Sequence, residues 1–226
     1  MNMSNNPLPR LGGLLAAAFC SLAAAAPAPD VNLLVEHEIT EKTSDGVTRQ
    51  LHYAERVYRR AGLVWIERVL PPGAHDAAEH AHGDHEHKHL DLAAAAKLIT
   101  LDADKLARIK LVNTHDKVVI NVPSAEYGNV GFDGSWENAV HLLDPKQLKT
   151  MQPIAGKAQN YQLKRADTTV RVAWDAAGEF PRQVESGNAS GTRHKLMRVR
   201  QTSAPATTPW TTLQGYAQKE YSDYLD

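Results

Sequence analysis

The sequence predicts an α+β fold, namely an antiparallel meander of seven to nine strands with two to four short helices. Short segments that alternate between apolar and polar residues recur along the chain, which is the pattern of half-buried strands. Turn signals rich in Gly, Asp and Asn separate these segments. The 226 residues, 42% of them hydrophobic, are enough for one domain with its own core.

The strands are predicted where apolar and polar residues alternate, and their ends are predicted where turn signals occur. Clear turn signals are SDG at 44–46, which is typical of a hairpin, and THDK at 114–117. The segment LDLAAAAKL at 90–98 is instead rich in helix formers. The predicted strands are 31–40, 47–60, 63–70, 106–113, 118–123, 160–167, 168–175, 180–186 and 192–201.

Helices are predicted at three further places. Ser135 is a suitable N-cap for a short helix, and Asp144 followed by Pro145 favours another, because Asp caps helices and Pro is tolerated at the first helical position. Helical spacing of apolar residues predicts a C-terminal helix within 204–226, after a linker. An open, curved sheet partly covered by helices, as in the lipoprotein-carrier half-barrels of the periplasm, is one architecture with this element order.

Residues 1–25 carry the three-part pattern of a secretory signal peptide. A polar stretch with one positive charge, Arg10, precedes an apolar run of about fifteen residues, and Ala23 and Ala25 form an A-x-A cleavage pattern. The run is short for a membrane span, although an uncleaved anchor is the alternative. The leader predicts export to the periplasm, with no transmembrane segment left after its removal. The remaining chain divides into one α+β domain over 26–203, which contains a flexible His-rich loop over 74–90, and the tail over 204–226.

Composition and motifs narrow the function classes. The formal net charge is −1, so no basic field predicts nucleic-acid binding. The one cysteine, Cys20, lies in the leader, so the mature chain has neither a disulfide nor a thiolate metal ligand. The sequence contains no G-x-S-x-G, S-x-x-K, H-E-x-x-H or P-loop pattern. No catalytic residue is predicted, and a non-catalytic protein is favoured over an enzyme.

The segment HDAAEHAHGDHEHKH at 75–89 holds six of the eleven histidines. His80 and His82, like His85, His87 and His89, occupy alternate positions, which share one side of an extended chain. Imidazole binds Zn, Cu and Ni well, and nearby carboxylates add oxygen ligands or orient the rings. From 75 to 91 there are five acids and one lysine, so the segment attracts cations. The candidate metal ligands are His75, His80, His82, His85, His87, His89, Asp76, Glu79, Asp84 and Glu86.

This segment resembles the acidic, histidine-rich loops of periplasmic zinc-binding proteins that feed ABC importers. The resemblance covers about fifteen of 226 residues. It implies a mobile metal-collecting loop of low selectivity, with a divalent transition metal (Zn, Cu or Ni) held labile rather than as a structural ion. The remainder of the sequence does not follow the α/β pattern of those importer subunits.

Several residues outside the loop are weaker candidates. His37 falls on the apolar side of the first strand, as either a ligand or a satisfied core residue, and His52 and Glu55 on the next strand are its potential neighbours. Glu137 and His141 are spaced i and i+4 on a short helix. The aromatic, Gly-rich segment 126–136 either closes over an apolar ligand or plugs the core, and we favour the plug.

Two functions of different classes remain. The main hypothesis is a periplasmic protein that binds transition metal through 75–89 for buffering, delivery or sensing, with a periplasmic or membrane protein as a further partner. The alternative is a periplasmic carrier or scaffold whose curved sheet holds a lipid, lipoprotein or protein partner, with the His-rich loop incidental. A polar cluster of His37, His52 and acids favours the first, and an apolar ligand cavity favours the second.

Overall fold

The fold is a single open sheet of twelve strands. The computed structural model describes residues 27–70 and 94–224. Of these residues, 49% lie in strands and 14% in helices. The strands are β1 (Val31–Lys42), β2 (Thr48–Arg60), β3 (Leu63–Arg68), β4 (Ala96–Leu101), β5 (Ala107–Asn113), β6 (Val118–Asn121), β7 (Gln152–Pro153), β8 (Asn160–Arg165), β9 (Thr168–Asp175), β10 (Phe180–Asn188), β11 (Arg193–Gln201) and β12 (Ala217–Glu220).

The helices are short. The described residues form two α-helices, α1 (Trp136–His141) and α2 (Pro145–Leu148), and 3-10 turns at Ser124–Val130, Pro209–Thr211 and Tyr221–Tyr224. Within these residues, no helix combines the length and the apolarity that crossing a bilayer requires.

The chain begins in the middle of the sheet and builds it in two directions. The strand order is β12-β6-β5-β4-β3-β2-β1-β11-β10-β9-β8-β7. From β1 to β6, each strand pairs antiparallel with the next strand along the chain. Residues 122–151, the crossover segment, then lead to the far edge, from which β7 to β11 return to pair with β1. Every pair is antiparallel except β12 with β6, which is parallel.

Strand alternation produces a core face, defined as the face that carries Val31, Leu33 and Val35. These three side chains are at most 3% exposed, and the residues opposite them on neighbouring strands share their face. Their cover comes from the crossover segment, whose Tyr127, Phe132 and Val140 join the same hydrophobic cluster. Each fully buried side chain of this size contributes about 1.5–3 kcal/mol of transfer free energy. The crossover segment is therefore held on the sheet chiefly by apolar burial.

The opposite face is covered by the tail. Tyr58, Trp65 and Val119 form a second buried cluster on this face, and Trp210, Leu213 and Tyr216 pack against it, among others. The chain then joins the sheet as β12. The tail thus acts as part of the fold rather than as a linker.

The α+β prediction was wrong, since the described chain is dominated by its sheet. The expected seven to nine strands are twelve, and the expected curved meander is a mixed sheet, open at both edges, that is interrupted by the crossover segment. Two misassigned segments explain part of the difference. The last residues of 90–98, which is rich in helix formers, belong to β4. Part of the expected C-terminal helix is the strand β12. Both segments pair with neighbouring strands, and the backbone bonds gained there outweigh helix propensity.

Other local predictions were confirmed. Ser135 caps α1 by accepting a hydrogen bond from the Asn138 N–H at 3.1 Å, and Asp144 caps α2 with Pro145 in its first turn. The hairpin signal at 44–46 lies in the turn between β1 and β2. These features depend on residues close in sequence, and so local pattern sufficed to find them.

Candidate functional site

The ten predicted metal ligands of the segment 75–89 lie outside the described residues. Residues 71–93 connect β3 to β4, so the chain leaves and re-enters the sheet next to Arg68 and Lys97. Within 27–70 and 94–224, no group of three or more His, Cys, Asp or Glu side chains is arranged to hold a metal ion.

The histidines that are described do not form one cluster. His37 and His52 lie on adjacent strands but on opposite faces, because His37 pairs with Tyr53 and His52 with Glu38. His37 is on the core face, with its Nε2 3.3 Å from Oε2 of Glu55. His52 is exposed and lies 3.7 Å from Glu38. The predicted proximity of His37 and Glu55 is observed, whereas His52 belongs to a different surface.

A cleft of about 440 Å³ opens between the core face and the crossover segment. Its volume is within the range of small-ligand sites. The sheet supplies Tyr53, Glu55, Ile66, Lys97 and Ile99. The crossover segment supplies the other wall, which consists of Gly131, Phe132, Asp133, Asn138 and Ala139.

Tyr53 stands between two neighbouring side chains at the mouth of this cleft. The ring of His37, from β1, stacks on the Tyr53 ring with centroids 4.4 Å apart and an interplanar angle of 17°. The Arg68 guanidinium, from β3, lies 3.7 Å from the same ring centroid, which is a cation–π contact. Burial and the nearby Glu55 carboxylate raise the pKa of the Tyr53 hydroxyl. The phenol therefore stays protonated in neutral solution.

Glu55 is held ionised beneath this stack. Burial raises the pKa of Glu55, but contact with His37 and the charges of Lys97 and Arg68 more than offset it, so the pKa lies below its ordinary value. His37 Nε2 is buried and, although Glu55 is close, makes no hydrogen bond of acceptable geometry with the described residues. The pair is thus electrostatically favourable but geometrically loose.

Beyond the cleft, two rows of core-face residues cross six strands from β2 to β8, and we call them the band. Strand register places each member opposite the next. The inner row is Tyr53, His37, Met197, Val184, Val172 and Tyr161. The outer row is Leu51, Ile39, Lys195, Ser186, Val170 and Leu163.

The band carries more apolar surface than the fold requires. Val170, Val184 and Leu163 touch the edge of the hydrophobic cluster beneath α2, but Ile39 and Leu51 fall outside the three clusters of the described residues. Leu51 is 50% exposed. Ile39 and Leu51 pair across β1 and β2, so they form a contiguous exposed apolar patch, and such patches mark binding surfaces when they are large.

Basic side chains surround this apolar surface. We call one part of the core face the open half. It consists of the cleft, the adjacent Arg68, the two rows of the band, and the core-face positions that follow the outer row towards the ends of the same strands. Among its described residues are six bases and three acids, a local net charge of +3 in a chain whose formal charge is −1. The bases are Arg49, Arg68, Lys97, Arg165, Arg193 and Lys195, and the acids are Glu41, Glu55 and Asp133.

These six bases differ from the arginines of the opposite face in their partners. Within the described ranges, none of the six has a carboxylate oxygen within 4.0 Å. On the opposite face, five arginines lie within 4.0 Å of an acid, in the pairs Arg56–Glu67, Arg60–Asp30, Arg108–Asp102, Arg171–Glu185 and Arg198–Glu38, whereas Arg200 has no such partner among the described residues. Positive charge on the open half is therefore available to a ligand.

Two other polar features are less suited to binding. His141 is 7% exposed, and its ring contacts the Glu179 carbonyl at 2.9 Å and Glu137 at 3.4 Å, so the predicted i and i+4 pair is part of the packing under α1. A shallow notch of about 270 Å³ beside His194 and Glu185 lies on the opposite face.

The aromatic segment 126–136 is a plug, as favoured from the sequence. Tyr127 and Phe132 are less than 10% exposed, and the Tyr127 hydroxyl donates to the Ala107 carbonyl at 3.1 Å. Sequence reasoning missed Lys97 and Arg68. For Arg68 the available signal was its charge at an apolar-side position of the predicted strand 63–70, whereas Lys97 lies in 90–98, where helix formers concealed the strand.

Comparisons with known proteins identify no family. No protein-family model matches the chain, and no curated protein does. Among solved structures it is similar to an uncharacterized conserved protein from Thermus thermophilus, with 10% identity and a TM-score of 0.38 over 84% of this chain and 90% of that one. It is also similar to an outer membrane lipoprotein-sorting protein domain from Vibrio parahaemolyticus, with 12% identity and a TM-score of 0.31 over 81% and 92%. Neither likeness is close enough to carry an inference about this chain.

Proposed function

We propose that this protein is a non-catalytic carrier that binds the apolar part of a lipid, a lipoprotein or a protein partner on the open half of its core face. The observation that carries the proposal is the continuity of the cleft with the band. Ile66, Ile99 and Phe132 line the cleft, and Ile39 and Leu51 extend the apolar surface beyond the cover of the crossover segment.

The chemistry of the cleft favours binding over catalysis. Glu55 has a lowered pKa and is engaged with His37, so it is a poor general base. Asp133 accepts from the Ser135 N–H at 2.9 Å and from Asn138, which occupies both of its oxygens in local turn bonds. Both acids are thus engaged in contacts within the fold.

A polarity-sensitive fluorophore at Leu51 tests the carrier proposal. Cys20 is the one cysteine of the chain, so a Cys20→Ser background allows a single label at Leu51→Cys or, as control, at Leu106→Cys. The two leucines are matched, with exposures of 50% and 54%, but Leu106 lies in the turn before β5. Adding dodecyl maltoside below its micelle concentration, or envelope lipid extract, is expected to shift the emission of the Leu51 label to the blue and leave the control unchanged. Equal responses, or none, contradict the proposal.

Metal binding by 75–89 is a second proposed function, and its support is the chemistry of the sequence. Six histidines interspersed with acids favour micromolar binding of more than one divalent ion, with Cu(II) strongest. Calorimetric titration with Zn(II), Cu(II) and Ni(II) is to be run beside a variant lacking 75–89. Binding that disappears with the segment supports this function. Equally tight binding without it, or none in the intact protein, refutes it.

The place of action is proposed to be the periplasm. Support comes from the leader over 1–25, with its apolar run and A-x-A pattern. Cell fractionation and N-terminal sequencing of the expressed protein test it, with the expected mature chain beginning at Ala26.

A further inference from the structure

We propose that the ligand of the open half is an anionic amphiphile, with its charged head beside Lys97 and Arg68 and its apolar chain along the band. This inference deepens the proposed carrier function and rests on it. The observation that carries it is the meeting of unpaired positive charge and exposed apolar surface on one half of one sheet face.

Lys97 provides the inner end of the head site. It lines the cleft, and its Nζ lies 3.4 Å from the position that a Cβ would take at Gly131 in the opposite wall. Gly131 has a φ of 68°, which a side chain would strain, so the backbone approaches the ammonium closely there. The Lys97 ammonium thus lies beside the Gly131 backbone in the wall of the cleft.

Arg68 provides the outer end. Its guanidinium is held against Tyr53, which limits its freedom and leaves its N–H groups available at the edge of the stack. A preorganised guanidinium binds phosphate or carboxylate with little further loss of conformational entropy. Glu55 is near enough to Lys97 and Arg68 for their charges to lower its pKa, and His37 also contacts it, so one carboxylate is shared among three basic groups. Lys97 and Arg68 have no carboxylate oxygen within 4.0 Å among the described residues, so an anionic head would contact both directly. The net positive charge of the open half lies along the outer margin of the band, because Glu55 and Asp133 balance the two cations of the head site.

The band provides the path for the chain. Its less covered part crosses β2, β1 and β11, which at about 4.8 Å for each of two spacings is roughly 10 Å. Towards β8 the band is covered, because Val172 is 1% exposed and Val184 and Leu163 pack with it beneath α2. Its apolar members start beside the head site at Tyr53 and Leu51 and continue through Ile39 and Met197. Lys195 interrupts the outer row, but its long alkyl stem also offers apolar surface below the ammonium. An extended acyl or alkyl chain fits this path better than a compact solute.

The first experiment compares amphiphiles that share a tail and differ in charge. Calorimetry with the full chain, below each micelle concentration, uses dodecyl phosphate, dodecyl maltoside and dodecyltrimethylammonium, with inorganic phosphate as the head alone. Dodecyl phosphate is expected to bind at least about tenfold more tightly than the maltoside, because its head can form charge-assisted hydrogen bonds with Lys97 and Arg68 and the maltoside head cannot. The cation and inorganic phosphate are expected to bind weakly. Raising the ionic strength should reduce the preference for the anion.

Matched variants locate the two parts of the site. Lys97→Gln is expected to lose about tenfold in dodecyl phosphate affinity while binding dodecyl maltoside as before, and Lys97→Arg is expected to restore the anion preference. Lys110→Gln is the control, since Lys110 is a lysine of the adjacent strand on the opposite face. Leu51→Gln is expected to weaken all dodecyl ligands, with Leu106→Gln as its control.

The outcomes separate this inference from the carrier proposal. If all three dodecyl ligands bind equally and Lys97→Gln has no effect, anion selection is wrong but the carrier function stands. If no dodecyl ligand binds and the Leu51 label does not respond, both are wrong. Binding to phosphatidylglycerol vesicles without binding of monomeric dodecyl phosphate would replace the inference with a membrane-surface contact. Binding of an acidic peptide of equal charge with the same affinity as dodecyl phosphate would overturn the role of the apolar chain.

Discussion

The Arg59 guanidinium joins the sheet to the crossover segment through a hydrogen bond from its Nη1 to the Val140 carbonyl at 2.9 Å. Arg59 is 1% exposed. It also donates to the carbonyls of Pro29, at 2.8 Å, of Glu179, at 3.1 Å, and of Gly178. One side chain of β2 thus satisfies backbone groups from the segment before β1, from α1 and from the turn between β9 and β10.

Replacing this arginine is expected to destabilise the fold strongly. In Arg59→Met the carbonyls of Pro29, Val140, Gly178 and Glu179 lose their donor, and each buried unsatisfied group costs about 1–3 kcal/mol. Since water reaches some of them, we expect a loss of about 3 kcal/mol or more in the free energy of unfolding, measured by urea denaturation. Arg49→Met, at an exposed position of the same strand, should change it by less than about 0.5 kcal/mol. Similar values for both variants would contradict this role.

Glu55 is expected to make stability depend on pH in the acid range. Its pKa is lowered in the folded protein, so its contribution is complete above the ordinary value of 4.5 and is lost as the pH falls through the folded pKa. Glu55→Gln should be less stable than the unmodified protein at pH 5.5, by an amount on the order of 1 kcal/mol, and equally stable near pH 2.5. Urea denaturation across this range measures the difference. Glu36→Gln, on the other face of β1, is the control, and a constant difference for Glu55→Gln would exclude the mechanism.

Trp210 is expected to hold the tail on the opposite face of the sheet. Its ring lies 6.0 Å from the Tyr58 ring and 5.3 Å from the Arg60 guanidinium carbon. Because Trp210 is only half-buried, Trp210→Ala should cost about 2 kcal/mol, below the range for a fully buried tryptophan. Hydrogen exchange should accelerate in β12 and in β6, which pairs with it. Trp210→Phe should retain most of the protection, and no change in either variant would show that β12 docks without the ring.

The cap of α1 is expected to maintain the wall of the cleft. Ser135→Ala removes the acceptor of the Asn138 N–H and should lower the free energy of unfolding by about 1 kcal/mol. Asn138 lines the cleft, so the same change should weaken ligand binding by a few-fold. Ser135→Thr keeps a neutral N-cap acceptor and should restore both properties. Weaker binding in Ser135→Thr equal to that in Ser135→Ala would exclude the cap as the cause.

Local chemistry predicted the features that depend on neighbouring residues. Alternation predicted a strand over 31–40 with His37 on its apolar side, which is the face that Val31, Leu33 and Val35 occupy, and the caps at Ser135 and Asp144 were found from residue type and position. These features need only the strand period of two and hydrogen bonds that reach a few residues along the chain. The leader pattern and the metal chemistry of 75–89 are likewise properties of short segments, and both stay predictions.

Long-range pairing established the remainder. The register of β1 on β2 sets His37 beside Glu55 and turns His52 to the other face, and pairing with β6 makes a strand of Ala217–Glu220, where spacing favoured a helix. The crossover segment brings Gly131 to Lys97, residues far apart in sequence, and so creates the cleft. Such contacts form only when the sheet is assembled, because the entropy lost in bringing distant segments together must be offset by many contacts at once. These contacts involve residues far apart in sequence, so no local pattern predicts them.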